Sequence, residues 1–211
     1  MTNMFTTILD ALPWSRFGDL PRAARKAIRE WERNGSPSPP PHPLKQHNLR
    51  SIARRHGLKT LVETGTFYGD MIEALKQDFE TIYSIELSDE LHKKAVLRFA
   101  GQANVELIQG DSGRELKALL ERIKTPSLFW LDGHYSAGVT ARGPKDSPIV
   151  EELSHIFDAP DLGHVIVVDD ARLFGVEPGY PTVEELSEFV NARRPNSRIT
   201  VADDAIRITP R

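Results

Sequence analysis

From residue 57 onward, short runs rich in β-branched and aromatic residues alternate with segments of helical periodicity. Parallel strands need long crossover connections, usually helices, so this alternation is typical of a sheet with helices on both faces. The runs predict parallel strands near residues 60–65, 81–87, 104–110, 127–132 and 164–169. The predicted fold class is therefore α/β, with a Rossmann-like, doubly wound and mostly parallel sheet.

The end of the chain follows a different pattern. Residues 197–211 contain two β-like runs that are separated only by Asp203 and Asp204. This connection is too short for a crossover helix. We therefore expect the two runs to form an antiparallel hairpin at the C-terminus.

Two helices show the pattern of a capping box at their start. Ser112 is followed by Glu115 at the third position, and Thr182 is followed by Glu185 in the same way. In such a box the hydroxyl accepts a backbone hydrogen bond and the acid accepts one in return. The pattern predicts that helices begin immediately after Ser112 and Thr182.

The N-terminal part of the chain differs from the rest. Residues 20–33 predict a helix, and residues 36–43 (SPSPPPHP) predict a semi-rigid extended spacer, because proline fixes φ and donates no backbone hydrogen bond. The apolar stripe of the helix consists of Leu20, Ala24, Ile28 and Trp31. We expect residues 1–43 to form a helical arm and linker outside the sheet, and residues 44–211 to form the α/β domain.

The charge of the chain is distributed unevenly. Residues 1–56 contain ten Lys or Arg and four Asp or Glu, whereas residues 57–211 contain 17 and 26. A basic arm of this kind could contact RNA or a membrane, dock on the acidic remainder, or join the subunits of a homo-oligomer. Charge alone does not identify the partner, and we expect neither nucleic acid nor a membrane to be the main one.

The absence of cysteine limits the chemistry. It excludes disulfides, zinc-thiolate sites and cysteine nucleophiles, so any metal would bind through oxygen or imidazole ligands. No apolar run approaches the roughly 20 residues that a membrane-spanning helix needs. The N-terminus also lacks the features of a secretory signal. We therefore expect a soluble, cytoplasmic protein.

The turn after the first predicted strand has the residues of a ligand cradle. It reads VETGTFYG over residues 62–69 and includes Thr66 and Gly69. Gly65 permits close approach of a ligand to the backbone, and Glu63 supplies an acceptor near the carboxyl end of the strand, where open α/β sheets bind ligands. The turn lacks the third glycine of the G-x-G-x-x-G dinucleotide fingerprint, which disfavours an NAD-dependent enzyme.

Acidic residues lie at the ends of the next two predicted strands. Glu86 lies 23 residues after Glu63, a spacing at which an acid can accept hydrogen bonds from both ribose hydroxyls of a nucleoside. Asp111 and Ser112 follow the third strand, where a carboxylate could accept from an adenine amino group. Together these residues indicate a nucleoside without a diphosphate. The alternatives are a solvated acid at Glu86 and a helix cap at Asp111.

These motifs together resemble those of class I S-adenosylmethionine (SAM) dependent methyltransferases: an E-x-G-x-x-x-G turn, a ribose-binding acid and an adenine-binding acid. The C-terminal hairpin is also similar to the last two strands of that family, so the resemblance covers residues 57–211. The resemblance implies SAM as the cofactor. The cofactor-binding residues that it implies are Glu63, Gly65, Thr66, Gly69, Glu86, Asp111, Ser112 and Asp132.

Three carboxylates lie at the ends of the fourth and fifth predicted strands: Asp132, Asp169 and Asp170. Neighbouring strands lie about 4.8 Å apart, so these side chains should meet at one edge of the sheet. Such crowding either raises a pKa or recruits a hard cation, and Mg²⁺, Mn²⁺ or Ca²⁺ suits an all-oxygen set. The alternative is that Asp132 orients the amino group of the cofactor while the aspartate pair caps the following turn.

The same residues resemble the metal site of small-molecule O-methyltransferases of the catechol and macrolide-sugar type. The resemblance implies that Asp132, Asp169 and Asp170 bind magnesium. This sequence departs from the catechol-type pattern at two positions, because Tyr135 replaces a lysine and Asp170 replaces an asparagine. The base that a lysine supplies in that pattern is therefore missing from this position.

His134 follows Asp132 by two residues. Its imidazole could deprotonate a substrate hydroxyl, bind the metal or orient the loop, because imidazole titrates near neutrality. We expect Asp132 and His134 to be the catalytic residues of methyl transfer from SAM to a small-molecule hydroxyl. The alternatives are an RNA-modifying methyltransferase, an NAD-dependent oxidoreductase and a non-catalytic nucleoside-binding protein.

Overall fold

The computed structural model describes residues 17–132 and 148–211. Within these residues, seven strands form one sheet in the order β3-β2-β1-β4-β5-β7-β6. Their bounds are β1 Thr60–Thr64, β2 Thr81–Glu86, β3 Val105–Gln109, β4 Ser127–Leu131, β5 Val165–Val168, β6 Ser197–Ala202 and β7 Ala205–Pro210. Strands β1 to β5 pair in parallel, and β7 is antiparallel to β5 and β6. The predicted parallel strands and C-terminal hairpin are confirmed.

Helices cover both faces of this sheet. Their bounds are α1 Arg22–Arg33, α2 His42–His56, α3 Asp70–Leu75, α4 Asp89–Arg98, α5 Ser112–Leu120, α6 Ile149–Asp158 and α7 Val183–Arg193, with a short 3-10 helix at Ala171–Leu173. Strand side chains alternate between the faces. Val62 and Phe129 pack with α5, α6 and α7, whereas Leu61 and Leu128 pack with α2, α3 and α4. The doubly wound architecture follows from this two-sided burial.

One of the two predicted capping boxes is confirmed. The Thr182 hydroxyl accepts from the Glu185 backbone N–H at 3.1 Å, and the Glu185 carboxylate accepts from the Thr182 N–H at 2.8 Å. The prediction that Ser112 caps α5 is wrong. The N-cap is Asp111, whose carboxylate accepts from the Gly113 N–H at 2.9 Å. A carboxylate at this place is also favoured by the helix dipole.

Helix α1 of the N-terminal arm packs on α2, outside the sheet. Ile28 of α1 and Leu44 of α2 are both buried, together with Leu20, and Ala24 and Trp31 pack against them. The predicted stripe of the arm helix is therefore confirmed. Independent folding of residues 44–211 stays a prediction.

Helix α2 begins earlier than the sequence pattern indicates. It starts at His42, so the last two residues of the predicted spacer belong to the helix. Pro43 is tolerated there, because the first turn of a helix needs no backbone N–H from it. In the part of the chain that the structure describes, none of the helices has the length and apolar character needed to cross a membrane.

Candidate active site

The turn between β1 and α3 lies at the carboxyl edge of the sheet and is held against β2. The backbone N–H groups of Gly65 and Thr66 donate to the Ile85 carbonyl at 2.9 and 3.3 Å. Gly65 and Gly69 have φ values of 91° and 80°, which glycine adopts without the steric cost that a side chain brings. A Cβ at Gly69 would also lie 2.5 Å from a ring carbon of Phe99. The two predicted glycines are therefore required by backbone geometry.

Glu63 lies beneath this turn in a chain of hydrogen bonds. The Ser84 hydroxyl donates to Glu63 Oε2 at 2.5 Å, and the hydroxyls of Ser84 and Thr66 are 2.6 Å apart. Glu63 is only 2% exposed. Burial raises its pKa to about 8, with smaller contributions from the charges of Asp132 and Glu86 and an opposing one from the Ser84 hydrogen bond. Glu63 therefore supports the turn from the interior of the sheet.

Glu86 connects the turn after β1 with the end of β2. Its Oε2 accepts from the Phe67 backbone N–H at 2.8 Å, and its Oε1 accepts from the Ser88 N–H at 2.8 Å. Each carboxylate oxygen can accept more than one hydrogen bond. Glu86 therefore fixes the turn and retains acceptor capacity for the hydroxyls of a bound ribose.

Asp111 and Ser112 lie at the junction of β3 and α5, as predicted. Because Asp111 Oδ1 caps α5, the helix-cap alternative for this residue is confirmed. The second carboxylate oxygen leaves room for a further hydrogen bond. An adenine-binding role for Asp111 would therefore use Oδ2 and stays a prediction.

Glu152 of α6 was not predicted from the sequence. It is a buried carboxyl, and this burial raises its pKa to about 7, while the Ser112 and Thr64 hydroxyls act in the opposite direction. The charges of Asp111 and Asp132 raise the pKa further. The signal was the position of Glu152 three residues after Ile149, on the apolar side of α6. An acid on an apolar helix stripe indicates a buried carboxyl.

Asp132, Asp169 and Asp170 come together at the adjacent ends of β4 and β5. The Asp132 N–H donates to the Thr64 carbonyl at 3.1 Å, and the Asp169 N–H donates to the Leu131 carbonyl at 3.0 Å. One carboxylate oxygen from each of the three lies within 4.8 Å of the others. The predicted meeting of the three side chains is therefore confirmed. We call this group the acid cluster.

The acid cluster perturbs the ionisation of its own members. Burial raises the pKa of Asp169 to about 7, and the charges of Asp132 and Asp170 raise it further, while Lys45 opposes them. Asp170 also accepts from Arg172 Nη1 at 2.6 Å. Arg172 in turn pairs with Asp204, so it is shared between two carboxylates.

Lys45 of α2 is a second residue that was not predicted from the sequence. Its ammonium donates to Asp169 Oδ2 and lies 3.5 Å from Asp170 Oδ1. Burial alone lowers the pKa of Lys45, but the charges of the acid cluster outweigh burial and hold the pKa above its usual value. The signal was the spacing of Lys45 to Leu49 and Ile52, which places it on the buried stripe of α2.

The oxygen donors of the acid cluster match the preference of magnesium, but the cluster already contains a cation. Lys45 contacts Asp169 and Asp170 directly, and Arg172 pairs with Asp170. A divalent cation at the same oxygens would lie close to the ammonium, where like charges repel. The residues present therefore do not fit the metal while Lys45 keeps this position.

His134 and Tyr135 lie outside the residues that the structure describes. Their sequence neighbours Asp132 and Pro148 are the described residues on either side of the segment. The catalytic role of His134 therefore stays a prediction from the sequence.

The chain matches known proteins in its fold but not in its sequence. No protein-family model matches the chain, and no curated protein matches its sequence. The O-methyltransferase TomG from Streptomyces achromogenes, solved in complex with SAM, aligns with a TM-score of 0.58 and 21% identity, over 91% of this chain and 90% of TomG. The methyltransferase PaMTH1 from Podospora anserina, solved with S-adenosylhomocysteine (SAH), aligns with a TM-score of 0.59 and 17% identity, over 98% of this chain and 99% of PaMTH1.

A third solved structure agrees with these two. An O-methyltransferase from Bacillus cereus in complex with SAH has a TM-score of 0.54 and 15% identity, over 90% of this chain and 91% of that one. The chain shares their fold. Sequence identities of 15–21% show a shared fold and do not identify the reaction.

Proposed function

We propose that this chain is a SAM-dependent methyltransferase that acts on a hydroxyl group of a small molecule. The observation that carries the proposal is the order of groups along the carboxyl edge of the sheet. Along this edge Asp111 follows β3, Glu86 is the last residue of β2, the glycine turn follows β1 and Asp132 follows β4. A nucleoside laid across the ends of β1, β2 and β3 would meet the close backbone approach of the glycine turn and then the acceptors Glu86 and Asp111, with Asp132 on the other side of β1. Structures of the same fold that were solved with SAM or SAH support this choice.

The residues would bind the cofactor through different parts of the edge. Glu86 accepts from the ribose hydroxyls, and Asp111 Oδ2 accepts from the adenine amino group. Gly65 and Gly69 keep the turn close to the cofactor, and the buried Glu63 holds the turn from below. These contacts orient the reacting group without forming a covalent bond to the enzyme.

Methyl transfer then depends mainly on alignment. Bound SAM supplies an electrophilic methyl group, so that the C–O bond to the acceptor forms as the C–S bond breaks and SAH remains. Holding nucleophile, methyl and sulfur in line removes much of the entropic barrier. Asp132, which directly follows β4, would orient the amino group of the cofactor. His134 takes the proton of the acceptor hydroxyl as general base.

Calorimetric titration with SAM, SAH and NAD tests the cofactor assignment directly. Saturable binding of SAM and SAH without binding of NAD supports the proposal, whereas NAD binding alone would indicate an oxidoreductase. Incubation with methyl-labelled SAM and pools of small-molecule alcohols and phenols then tests for transfer. Binding of SAH with no labelled product from any pool, and labelling of RNA instead, would move the acceptor to the RNA class.

A further inference from the structure

The acid cluster lies at the site proposed for methyl transfer, and the cation within it is part of the chain. Lys45 is 124 residues before Asp169 in the sequence, yet its ammonium is hydrogen bonded to that carboxylate. We propose that Lys45 is the resident cation of the acid cluster and that it excludes divalent metal from it. Metal exclusion depends only on this geometry, whereas its consequence for catalysis rests on the proposed function.

The backbone around Lys45 is fixed by packing. Leu44 and Leu49 on the same helix are each 1% exposed, and the Lys45 side chain is itself only 11% exposed. Further along α2, Arg50 pairs with Asp78 and donates to the Ala74 carbonyl. The ammonium is therefore held next to Asp169 by a rigid element. A tethered group of this kind competes with a free ligand at a high effective concentration.

Charge also favours the ammonium over a second cation. Lys45 and Arg172 already bring two positive charges to Asp169 and Asp170. A bound divalent ion would add two more charges within a poorly solvated site. Repulsion between cations is strong there, because little water separates them. The metal could enter only if the ammonium left.

The cluster nevertheless has the donors for a metal once Lys45 is removed. Asp169 Oδ1 is buried and accepts no hydrogen bond from residues 17–132 or 148–211. One oxygen from each of Asp132, Asp169 and Asp170 lies within the span that a single cation can bridge. Loss of the ammonium would remove the ion pair that Lys45 forms with Asp169. The chain therefore contains a latent divalent-cation site that its own lysine occupies.

The Lys45→Met variant tests this directly, because methionine keeps most of the side-chain volume and removes the charge. Mn²⁺ is titrated into each protein without cofactor, and free Mn²⁺ is followed by electron paramagnetic resonance. The variant should bind a single Mn²⁺ per chain at least about tenfold more tightly than the wild type, as expected when a neighbouring positive charge is removed. Lys59→Met is the matched control, because Lys59 forms an exposed pair with Glu80; its Mn²⁺ binding should equal that of the wild type.

A second substitution locates the ion. Adding Asp169→Asn to Lys45→Met should abolish the gained Mn²⁺ binding. The proposal is overturned if the wild type binds Mn²⁺ in a saturable way that Asp169→Asn removes, and this arm needs no Lys45 variant. It is equally overturned if folded Lys45→Met binds Mn²⁺ no better than the wild type.

The same protein samples are used to check that the variants fold. If Lys45→Met does not fold, Lys45→Gln replaces it, since the amide can still donate to Asp169 without a charge. The melting temperature of the folded variant should rise with added Mn²⁺, whereas that of the wild type should not. SAH affinity, measured separately, tests the proposed function: its absence would defeat that function and leave the Mn²⁺ result standing.

Discussion

The Ser84 hydroxyl donates a hydrogen bond of 2.5 Å to Glu63 Oε2, which links β2 and β1 beneath the turn between β1 and α3. The carboxyl that accepts it is buried, and burial raises its pKa to about 8. A buried acid with a raised pKa prefers to keep its proton in the folded state. The junction that supports the turn is therefore sensitive to pH.

We predict that Glu63→Gln reduces the loss of stability as pH rises. The folded protein holds the Glu63 proton up to a pKa of about 8, whereas the unfolded chain releases it near the ordinary pKa of 4.5. Stability from this group is fully present below the unfolded pKa and is lost as pH rises through the folded one. Glutamine cannot ionise and still offers an acceptor to Ser84. The variant should therefore gain stability relative to the wild type across that window.

Urea unfolding at several pH values between about 5 and 8 measures this difference. Glu90→Gln is a useful control, because Glu90 is exposed and its hydrogen bond to Lys94 lowers its pKa. The Glu90→Gln variant should show no gain in stability relative to the wild type as pH rises. Equal pH slopes for Glu63→Gln and the wild type would mean that Glu63 is ionised in the folded protein.

Local patterns in the sequence were sufficient for most of the fold. The alternation of β-rich runs and helical periods placed β1 to β5, and the two-residue separation at Asp203 and Asp204 placed the hairpin. The acid cluster was also predictable, since β4 and β5 are neighbours and their ends carry the aspartates. These features depend on period and on strand order, both of which sequence spacing encodes.

The contacts that sequence reasoning missed are long-range. The spacing of Lys45 to Leu49 and Ile52 indicates a buried helix face. It does not indicate that this face meets Asp169, because that placement depends on how α2 packs against the sheet. The burial of Glu152 likewise depends on how α6 packs. The cap at Asp111 was missed for a local reason: both Asp111 and Ser112 can cap, and the backbone turned into helix one residue earlier.

We predict that Glu86→Ala weakens binding of SAM and SAH. Each charge-assisted hydrogen bond to the ribose that is lost should cost about 1.5–3 kcal/mol. The Phe67 N–H would also lose its acceptor, which would loosen the turn. Calorimetry on the folded variant measures the change. Glu90→Ala removes a surface carboxylate four residues later and should leave affinity unchanged. Wild-type affinity in Glu86→Ala would rule out Glu86 as the ribose acceptor.

We predict that Gly69→Ala destabilises the protein more than Gly101→Ala. Both glycines have similar positive φ values, 80° and 85°. A Cβ at Gly69 would meet the Phe99 ring at 2.5 Å, whereas a Cβ at Gly101 would meet nothing within 4 Å. The backbone strain is therefore shared, and the clash is specific to Gly69.

Thermal or urea unfolding of the two glycine variants separates the two effects. Gly101→Ala should cost about 1 kcal/mol from backbone strain, and Gly69→Ala should cost about 1–3 kcal/mol more, as overpacking does. Because Gly69 is also the N-cap of α3 and ends the turn proposed to hold the cofactor, SAH affinity should fall only in Gly69→Ala. Equal destabilisation would show that Phe99 moves aside without cost.

The last prediction concerns the base. Once an acceptor is found, His134→Ala should lower kcat by a factor of about 10² to 10⁴, as expected when a general base is removed. SAH affinity should be retained, because the contacts proposed for the ribose and the adenine lie at the ends of β2 and β3. His56→Ala, at the end of α2, is the control and should keep full activity.

Exhaustive chelation should leave wild-type turnover unchanged, since Lys45 supplies the cation of the acid cluster. Loss of wild-type turnover on chelation would indicate that a metal takes part in the reaction. Full activity of His134→Ala would indicate that another group is the base.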